Sequence, residues 1–184
     1  MTLLLGFLPL VVFFVLVRLS VSLALWIAFS VAFTLGMRNF VETGVLRHLD
    51  ITFTVLFGLL ALYGGFIHPG MSISWVGLVL ELALLAVAIW SLLARQPITG
   101  QYIRAQVSPE YWATPLVGRT IYALTLAWTA AFAVMAAADA ATIFEPTISA
   151  NLMAVVGLAA LAGALTFTWQ SSVTLGRRLG HTPH

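Results

Sequence analysis

The sequence has very little charge and no cysteine. Only 8% of its 184 residues are charged, whereas 61% are hydrophobic, and the mean hydropathy is +1.06. A soluble domain carries roughly 25% charged residues, so this chain cannot surround a core with a polar shell. The lack of cysteine excludes disulfides, thiolate metal sites and cysteine nucleophiles. The composition therefore predicts an integral membrane protein whose solvent is lipid.

Lysine is absent as well, and all eight basic residues are arginines. They are spread along the chain instead of forming the basic patch that is typical of nucleic-acid binding. We therefore expect no nucleic-acid partner. The arginine positions are better explained as signals of membrane topology.

Six apolar stretches divide the chain. They cover residues 2–17, 19–37, 51–67, 73–93, about 120–141 and about 148–168. The last four are long enough, at about 1.5 Å per residue, to cross a hydrocarbon core of about 30 Å. One helix over the first two would be about 54 Å long, so we favour two short helices that meet near Arg18. A re-entrant or surface-lying first segment, interrupted by Pro9, stays open.

These stretches predict an all-α integral membrane protein. We expect a polytopic bundle of five or six transmembrane segments, in a single domain over residues 1–184, with one interfacial loop. Stripes of small residues at intervals of three or four predict close helix contacts. The stripes are Ser20, Ala24, Ala28, Ala32 and Gly36; Thr54, Gly58, Ala61 and Gly65; Ala123, Ala127 and Ala131; and Gly157, Ala160 and Ala164.

The arginines also predict the orientation. Seven of them fall on one side of the predicted spans, and only Arg18 falls on the other. By the positive-inside rule the arginine-rich side is cytoplasmic. This places the loop 94–119 and the C-terminal tail 169–184 in the cytoplasm. The seven are Arg38, Arg47, Arg95, Arg104, Arg119, Arg177 and Arg178.

The loop 94–119 is the one long polar segment. Gln96-Pro97 ends the fourth helix, and Ser108-Pro109-Glu110 has the features of a helix start. We expect one or two short helices on the inner membrane surface, with Tyr102, Tyr111 and Trp112 at headgroup level. The candidate lipid or partner face consists of Arg95, Arg104, Tyr111 and Trp112.

Glu81 is the most unusual residue, because it lies about 12 Å from the outer end of the fourth segment. A carboxylate at that depth costs several kcal/mol unless it is protonated, paired or facing water. It should point into the bundle, because it shares a helical face with Gly77, Leu84, Ala88 and Ser91. Glu81 is either a proton or cation site or a structural residue, in the second case paired with Arg18. Arg18 itself is better explained as a snorkelling residue at a helix end, and Asp139 as a solvated loop charge.

No arrangement in the sequence predicts catalysis, a cofactor or a metal site. His48 and His68 flank the third segment, about 30 Å apart, and His181 and His184 lie in the tail. There is no nucleophile elbow, P-loop or dinucleotide fingerprint.

The opening of the chain resembles the intracellular septation protein A family of small bacterial inner-membrane proteins, in the stretch Phe7-Leu8-Pro9-Leu10-Val11-Val12-Phe13-Phe14. Two further matches are Arg95-Gln96-Pro97-Ile98, where the family closes a helix with a basic residue and proline, and Leu126-Ala127-Trp128 followed by Phe132. The chain departs from the family in having Glu81, in lacking lysine and in having no asparagine before Leu126. The resemblance implies an inner-membrane location and a role in cell division or envelope synthesis, without a known reaction.

Three hypotheses of function follow. The first is a non-enzymatic inner-membrane protein of envelope maintenance or division that acts through helix, lipid and partner contacts. Its expected partners are membrane lipids, with a membrane protein or a second copy of the chain as open alternatives. The second is a small transporter or proton-coupled carrier centred on Glu81. The third is a lipid-modifying enzyme, for which His48, Asp50, Arg104 and Glu110 are the available groups.

Overall fold

The structure is a computed structural model and describes residues 5–44, 47–68, 70–145 and 147–179. All regular structure in these residues is helical, with no strand. The helices are α1 (Leu8–Leu16), α2 (Val21–Thr43), α3 (His48–Leu62), α4 (Ile73–Leu93), α5 (Gly100–Arg104), α6 (Pro115–Phe144) and α7 (Ala150–Arg178). A π-helical turn (Tyr63–Ile67) extends α3, and a 3-10 helix (Pro109–Tyr111) follows α5.

Five helices in the described residues are long and apolar enough to cross a membrane. They are α2, α3 with its π-helical extension, α4, α6 and α7. The prediction of an all-α bundle with five or six spans is therefore confirmed.

The first apolar stretch forms only the nine-residue helix α1. Nine residues extend about 14 Å, which is too short to cross a bilayer. Pro9 lies in the first turn of α1, so it begins this helix instead of interrupting it. A separate helix, α2, then starts where the Ser20 hydroxyl accepts a hydrogen bond of 3.4 Å from the Leu23 N–H. Residues 2–4 of the predicted segment lie outside the described residues.

The last two helices are longer than the apolar stretches that predicted them. α6 covers Pro115–Phe144 instead of 120–141, and α7 covers Ala150–Arg178 instead of 148–168. Residues 169–178, expected in the tail, are therefore helical. Apolar composition marks only the part of a helix in lipid, whereas its hydrogen-bonded backbone continues into polar ends. Arg177 and Arg178 in the last turn of α7 also interact favourably with the helix dipole.

The chain groups into two compact units, which we call the N-terminal unit (residues 5–80) and the C-terminal unit (residues from 81 on). α4 begins in the first and continues into the second. The single-domain organisation stays a prediction.

The core of the N-terminal unit is aromatic. The rings of Phe7 and Phe53 are 5.9 Å apart, and those of Phe13 and Phe57 are 5.7 Å apart. α2 buries its small-residue stripe against α3, where an added Cβ at Gly58 would lie 3.1 Å from the Phe29 ring. The small residues therefore allow the close approach of α2 and α3 that the sequence predicted. The buried members of the α2 stripe are Ala24, Ala28, Ala32 and Gly36.

The core of the C-terminal unit centres on the packing of α6 against α7. Trp128 is fully buried, and its indole N–H donates to the Thr168 hydroxyl at 3.0 Å. The predicted stripe on α6 does not form the contact, because Ala123 is exposed and only Ala131 of the three is buried. Large side chains occupy the buried face instead, namely Leu124, Trp128 and Phe132.

Candidate functional site

The loop between α4 and α6 is held at its start by Ser91. The Ser91 hydroxyl accepts a hydrogen bond from the Ile98 N–H at 3.3 Å and donates to the Ala88 carbonyl at 2.7 Å. Arg95 lies in the turn between these points, with a φ of 56° and an exposed side chain. Few non-glycine residues adopt such left-handed backbone. The turn therefore directs a basic side chain to the surface at a conformational cost.

The middle of the loop is fixed to α6. Thr99 is fully buried, donates to the Ile121 carbonyl at 2.9 Å, and lies 2.8 Å from the Thr125 hydroxyl. Tyr102 and Ile103 on α5 are buried as well. Tyr102 is therefore not exposed on the surface of the loop, because α5 packs against α6 and Tyr102 lies on its buried side. The loop is consequently an ordered part of the C-terminal unit.

Trp112 closes the second half of the loop. Its indole N–H donates to the Arg104 carbonyl at 3.1 Å and to the Val107 carbonyl at 2.9 Å. Its ring stays 43% exposed. The Arg104 side chain is exposed and Tyr111 is half-buried. Ser108 precedes the 3-10 helix as predicted, but its side chain makes no capping hydrogen bond.

We call the four residues Arg95, Arg104, Tyr111 and Trp112 the loop surface. The structure joins Arg104 and Trp112 directly, through the indole hydrogen bond to the Arg104 carbonyl. The two guanidinium groups are both exposed, in a loop whose Thr99, Tyr102 and Ile103 are buried. Chemically, this arrangement presents cations and an amphipathic aromatic ring from an ordered backbone.

Glu81 is 2% exposed, and its Oε2 atom has no hydrogen-bond partner among the described residues. Its neighbours on the same face of α4 are buried, as the helical period predicted: Gly77, Leu84, Ala88 and Ser91. Asp139 of α6 is near enough to interact electrostatically with Glu81. Asp139 is half-buried inside α6, so the expectation of a solvated loop charge was wrong. Arg18 is exposed.

Asp50 is a buried polar residue whose role the sequence did not indicate. It is 5% exposed, and its Oδ2 accepts a hydrogen bond of 2.8 Å from the Asn39 side-chain amide. The pair joins α2 to α3, beside Gly36. One signal was available, because Asn39 follows Gly36 by one helical turn and Asp50 precedes Thr54 by one turn. Both residues thus extend the small-residue stripes.

The groups available for catalysis belong to different units of the chain. His48 is exposed while Asp50 is buried in the N-terminal unit, and Arg104 and Glu110 are exposed in the C-terminal unit. Among residues 5–44, 47–68, 70–145 and 147–179, no three His, Asp or Glu side chains group as metal ligands would. His181 and His184 lie outside the described residues.

Comparison of the chain with protein-family models, curated proteins and solved structures finds no match.

Proposed function

We propose that the chain is a non-enzymatic bacterial inner-membrane protein that serves envelope maintenance or division. It does so by holding anionic lipid headgroups, or a partner's segment next to the membrane, on the loop surface. One observation carries the proposal: hydrogen bonds of Thr99 and Trp112 fix the loop while Arg95 and Arg104 remain exposed.

The order of the loop favours binding. A surface that is already ordered loses less conformational entropy when a ligand binds than a mobile loop would. Guanidinium groups pair with phosphate through two parallel hydrogen bonds, and basic residues next to a membrane attract anionic lipids by about 1 kcal/mol each. Trp112 adds a ring of the type that is enriched at headgroup level.

The proposed orientation places the loop surface in the cytoplasm, with the C-terminus on the same side. It rests on the arginine distribution and the positive-inside rule. The anionic surface of the cytoplasmic leaflet is the one that a basic loop recognises.

The role in division or envelope synthesis rests on the resemblance to the septation protein A family. Several residues that carry this resemblance are buried, namely Phe7, Pro9, Leu10, Phe13, Trp128 and Phe132. Because these residues lie in the core, the likeness supports a fold shared with that family. The role in division or envelope synthesis is proposed on the basis of this shared fold.

The test is complementation in native cells that lack the gene. We expect the R95Q/R104Q variant to reach normal levels in the membrane and yet leave the defects in cell length and envelope permeability uncorrected. Arg38→Gln is the control, because Arg38 is also exposed but pairs with Glu42 at 2.7 Å, and it should restore both properties. Full restoration by R95Q/R104Q would contradict the proposal.

A second candidate function, a proton-coupled carrier, is favoured by the buried Glu81 carboxylate and its neighbour Asp139. A buried polar atom without a partner costs about 1–3 kcal/mol, and such a cost is common at functional sites in membranes. Proton flux into proteoliposomes tests this candidate. Glu81→Gln should abolish the flux and Glu42→Gln, an exposed control, should not. Absence of flux in the unmodified protein would dispose of this function.

A further inference from the structure

A groove of about 450 Å³ runs along the packed pair α6 and α7, at the end where α6 begins and α7 finishes. Its walls belong entirely to the C-terminal unit, and none of them belongs to the loop surface. The groove is lined by Leu116, Arg119, Thr120, Ala123, Phe167, Gln170, Ser171, Thr174, Leu175 and Arg178.

The polar end of the groove is cationic. Arg119 lies near the start of α6 and Arg178 in the last turn of α7, and the antiparallel packing of these helices brings both to one groove. Both side chains are exposed, and no acidic residue lines the groove. Gln170, Ser171 and Thr174 add neutral hydrogen-bonding groups on α7. Two guanidinium groups with hydroxyl and amide neighbours form a site suited to a phosphate.

The other end of the groove is apolar. Ala123 lies one helical turn beyond Arg119 on α6, and Phe167 lies about three turns before Arg178 on α7. Both are exposed and line the groove. The small Ala123 side chain and the Phe167 ring together give this part of the groove an apolar wall. A ligand that fills the groove must therefore be amphipathic, with an anionic head and an apolar tail.

We propose that this groove binds one anionic phospholipid, with its phosphate between Arg119 and Arg178 and an acyl chain over Ala123 and Phe167. A soluble phosphate would leave the apolar wall unused. A zwitterionic lipid carries the same phosphate but has no net negative charge, and the two guanidinium groups would repel its cationic group. The proposal deepens the proposed function, since it rests on the same cytoplasmic orientation, but it uses different residues and can fail separately.

Native mass spectrometry of the full chain in detergent micelles tests the proposal, with phosphatidylglycerol and phosphatidylcholine of identical acyl chains as probes. We expect one phosphatidylglycerol to bind in preference to phosphatidylcholine. Each basic residue near a membrane surface contributes about fivefold to binding an anionic lipid. The R119Q/R178Q variant should therefore lose phosphatidylglycerol affinity by about thirtyfold. Equal binding of the two lipids, or unchanged affinity in this variant, would overturn the proposal.

The variant R38Q/R177Q is the matched control, because it removes the same charge from exposed positions outside both the groove and the loop surface. It should keep the single tightly bound phosphatidylglycerol. If both double variants lose phosphatidylglycerol affinity equally, the lipid is held by general electrostatic attraction, and the proposal of a localised site is overturned. Loss of the lipid only in R119Q/R178Q, together with full complementation by R95Q/R104Q, would support the groove and reject the loop surface.

A steric variant separates the groove from charge altogether. Ala123→Phe fills the apolar end without altering any charge, so phosphatidylglycerol affinity should fall about tenfold, the effect of losing a few buried methylene groups. Ala133→Phe places the same side chain at an exposed position of α6 outside the groove and should leave affinity unchanged. Unchanged binding in Ala123→Phe, or displacement of the lipid by free glycerol phosphate, would overturn the lipid as occupant.

Discussion

The two units each carry a groove, and the grooves differ in chemistry. The groove of the N-terminal unit has a volume of about 800 Å³ and no formally charged side chain. It lies beside the π-helical turn, where the Tyr63 and His68 rings are 6.2 Å apart, and Leu56, Leu59 and Leu60 supply part of its apolar wall. The groove of the C-terminal unit is smaller and contains two arginines.

This difference shows which groove can select a ligand. Any lipid tail can fill an apolar groove in a membrane, because lipid is as apolar as the residues that line it. Charged side chains distinguish one headgroup from another. Volume alone would have favoured the N-terminal groove, whereas charge favours the C-terminal groove.

The cores of the two units also differ in the polar groups that they contain. The N-terminal unit is packed with phenylalanine rings and contains a hydrogen bond from the half-buried Asn39 to the buried Asp50. The C-terminal unit is joined by side-chain hydrogen bonds between Thr99 and Thr125 and from Trp128 to Thr168. Substitutions in each core test this difference.

The largest effect is expected for Trp128→Ala. Removing this fully buried ring leaves a cavity and deletes the hydrogen bond to Thr168, which should lower the free energy of unfolding by about 3–5 kcal/mol. Trp128→Phe keeps most of the ring volume and should cost less. Unfolding in mixed detergent and dodecyl sulfate micelles measures both. A cost under about 1 kcal/mol for Trp128→Ala would refute the importance of this contact.

Asn39→Leu tests the polar pair of the N-terminal unit. Loss of the Asn39 amide removes a donor from a buried carboxylate and should cost about 1–3 kcal/mol in the same measurement. The N39L/D50L double variant removes both groups, so its cost should be less than the sum of the two single variants. If the cost of the double variant equals the sum of the two single costs, a direct interaction between Asn39 and Asp50 is contradicted.

Thr99→Val tests whether the loop depends on its hydrogen bonds to α6. The loss of the Ile121 bond should cost about 1 kcal/mol and should increase hydrogen exchange in residues 99–112. Thr43→Val, on the exposed side of α2, is the control. If exchange in the loop stays unchanged, the loop is ordered by other contacts.

Gly44→Ala should have the smallest effect. Gly44 ends α2 with a φ of 69°, and an added Cβ would meet nothing within 4 Å. The cost of about 1 kcal/mol is therefore due to backbone conformation alone. Gly163 is a helical position with equally open surroundings, so Gly163→Ala should be neutral or stabilising. A comparison of the unfolding curves of the two variants measures this difference. Equal effects at both positions would contradict the left-handed turn.

The features that depend on helical period were predictable from the sequence. The five long helices, the buried stripe of α2 and the burial of Glu81 follow from apolar length and from residues that recur every three or four positions. The features that depend on which helices pack together were not predictable. The sequence alone indicates only a topology signal for Arg119 and Arg178. The structure adds that the antiparallel contact of α6 with α7 brings both side chains to one groove. Asp139 similarly gained its relation to Glu81 only through packing.

Both proposals depend on one claim, that the loop surface and the groove of the C-terminal unit face the cytoplasm. The chain contains no cysteine, so single cysteines introduced at the exposed positions Ala105 and Gly70 can be labelled without background. A membrane-impermeant thiol reagent should label the cysteine of Gly70→Cys in spheroplasts with intact inner membranes. It should label that of Ala105→Cys only after lysis. Labelling of Ala105→Cys in intact spheroplasts, with Gly70→Cys protected until lysis, would contradict the account.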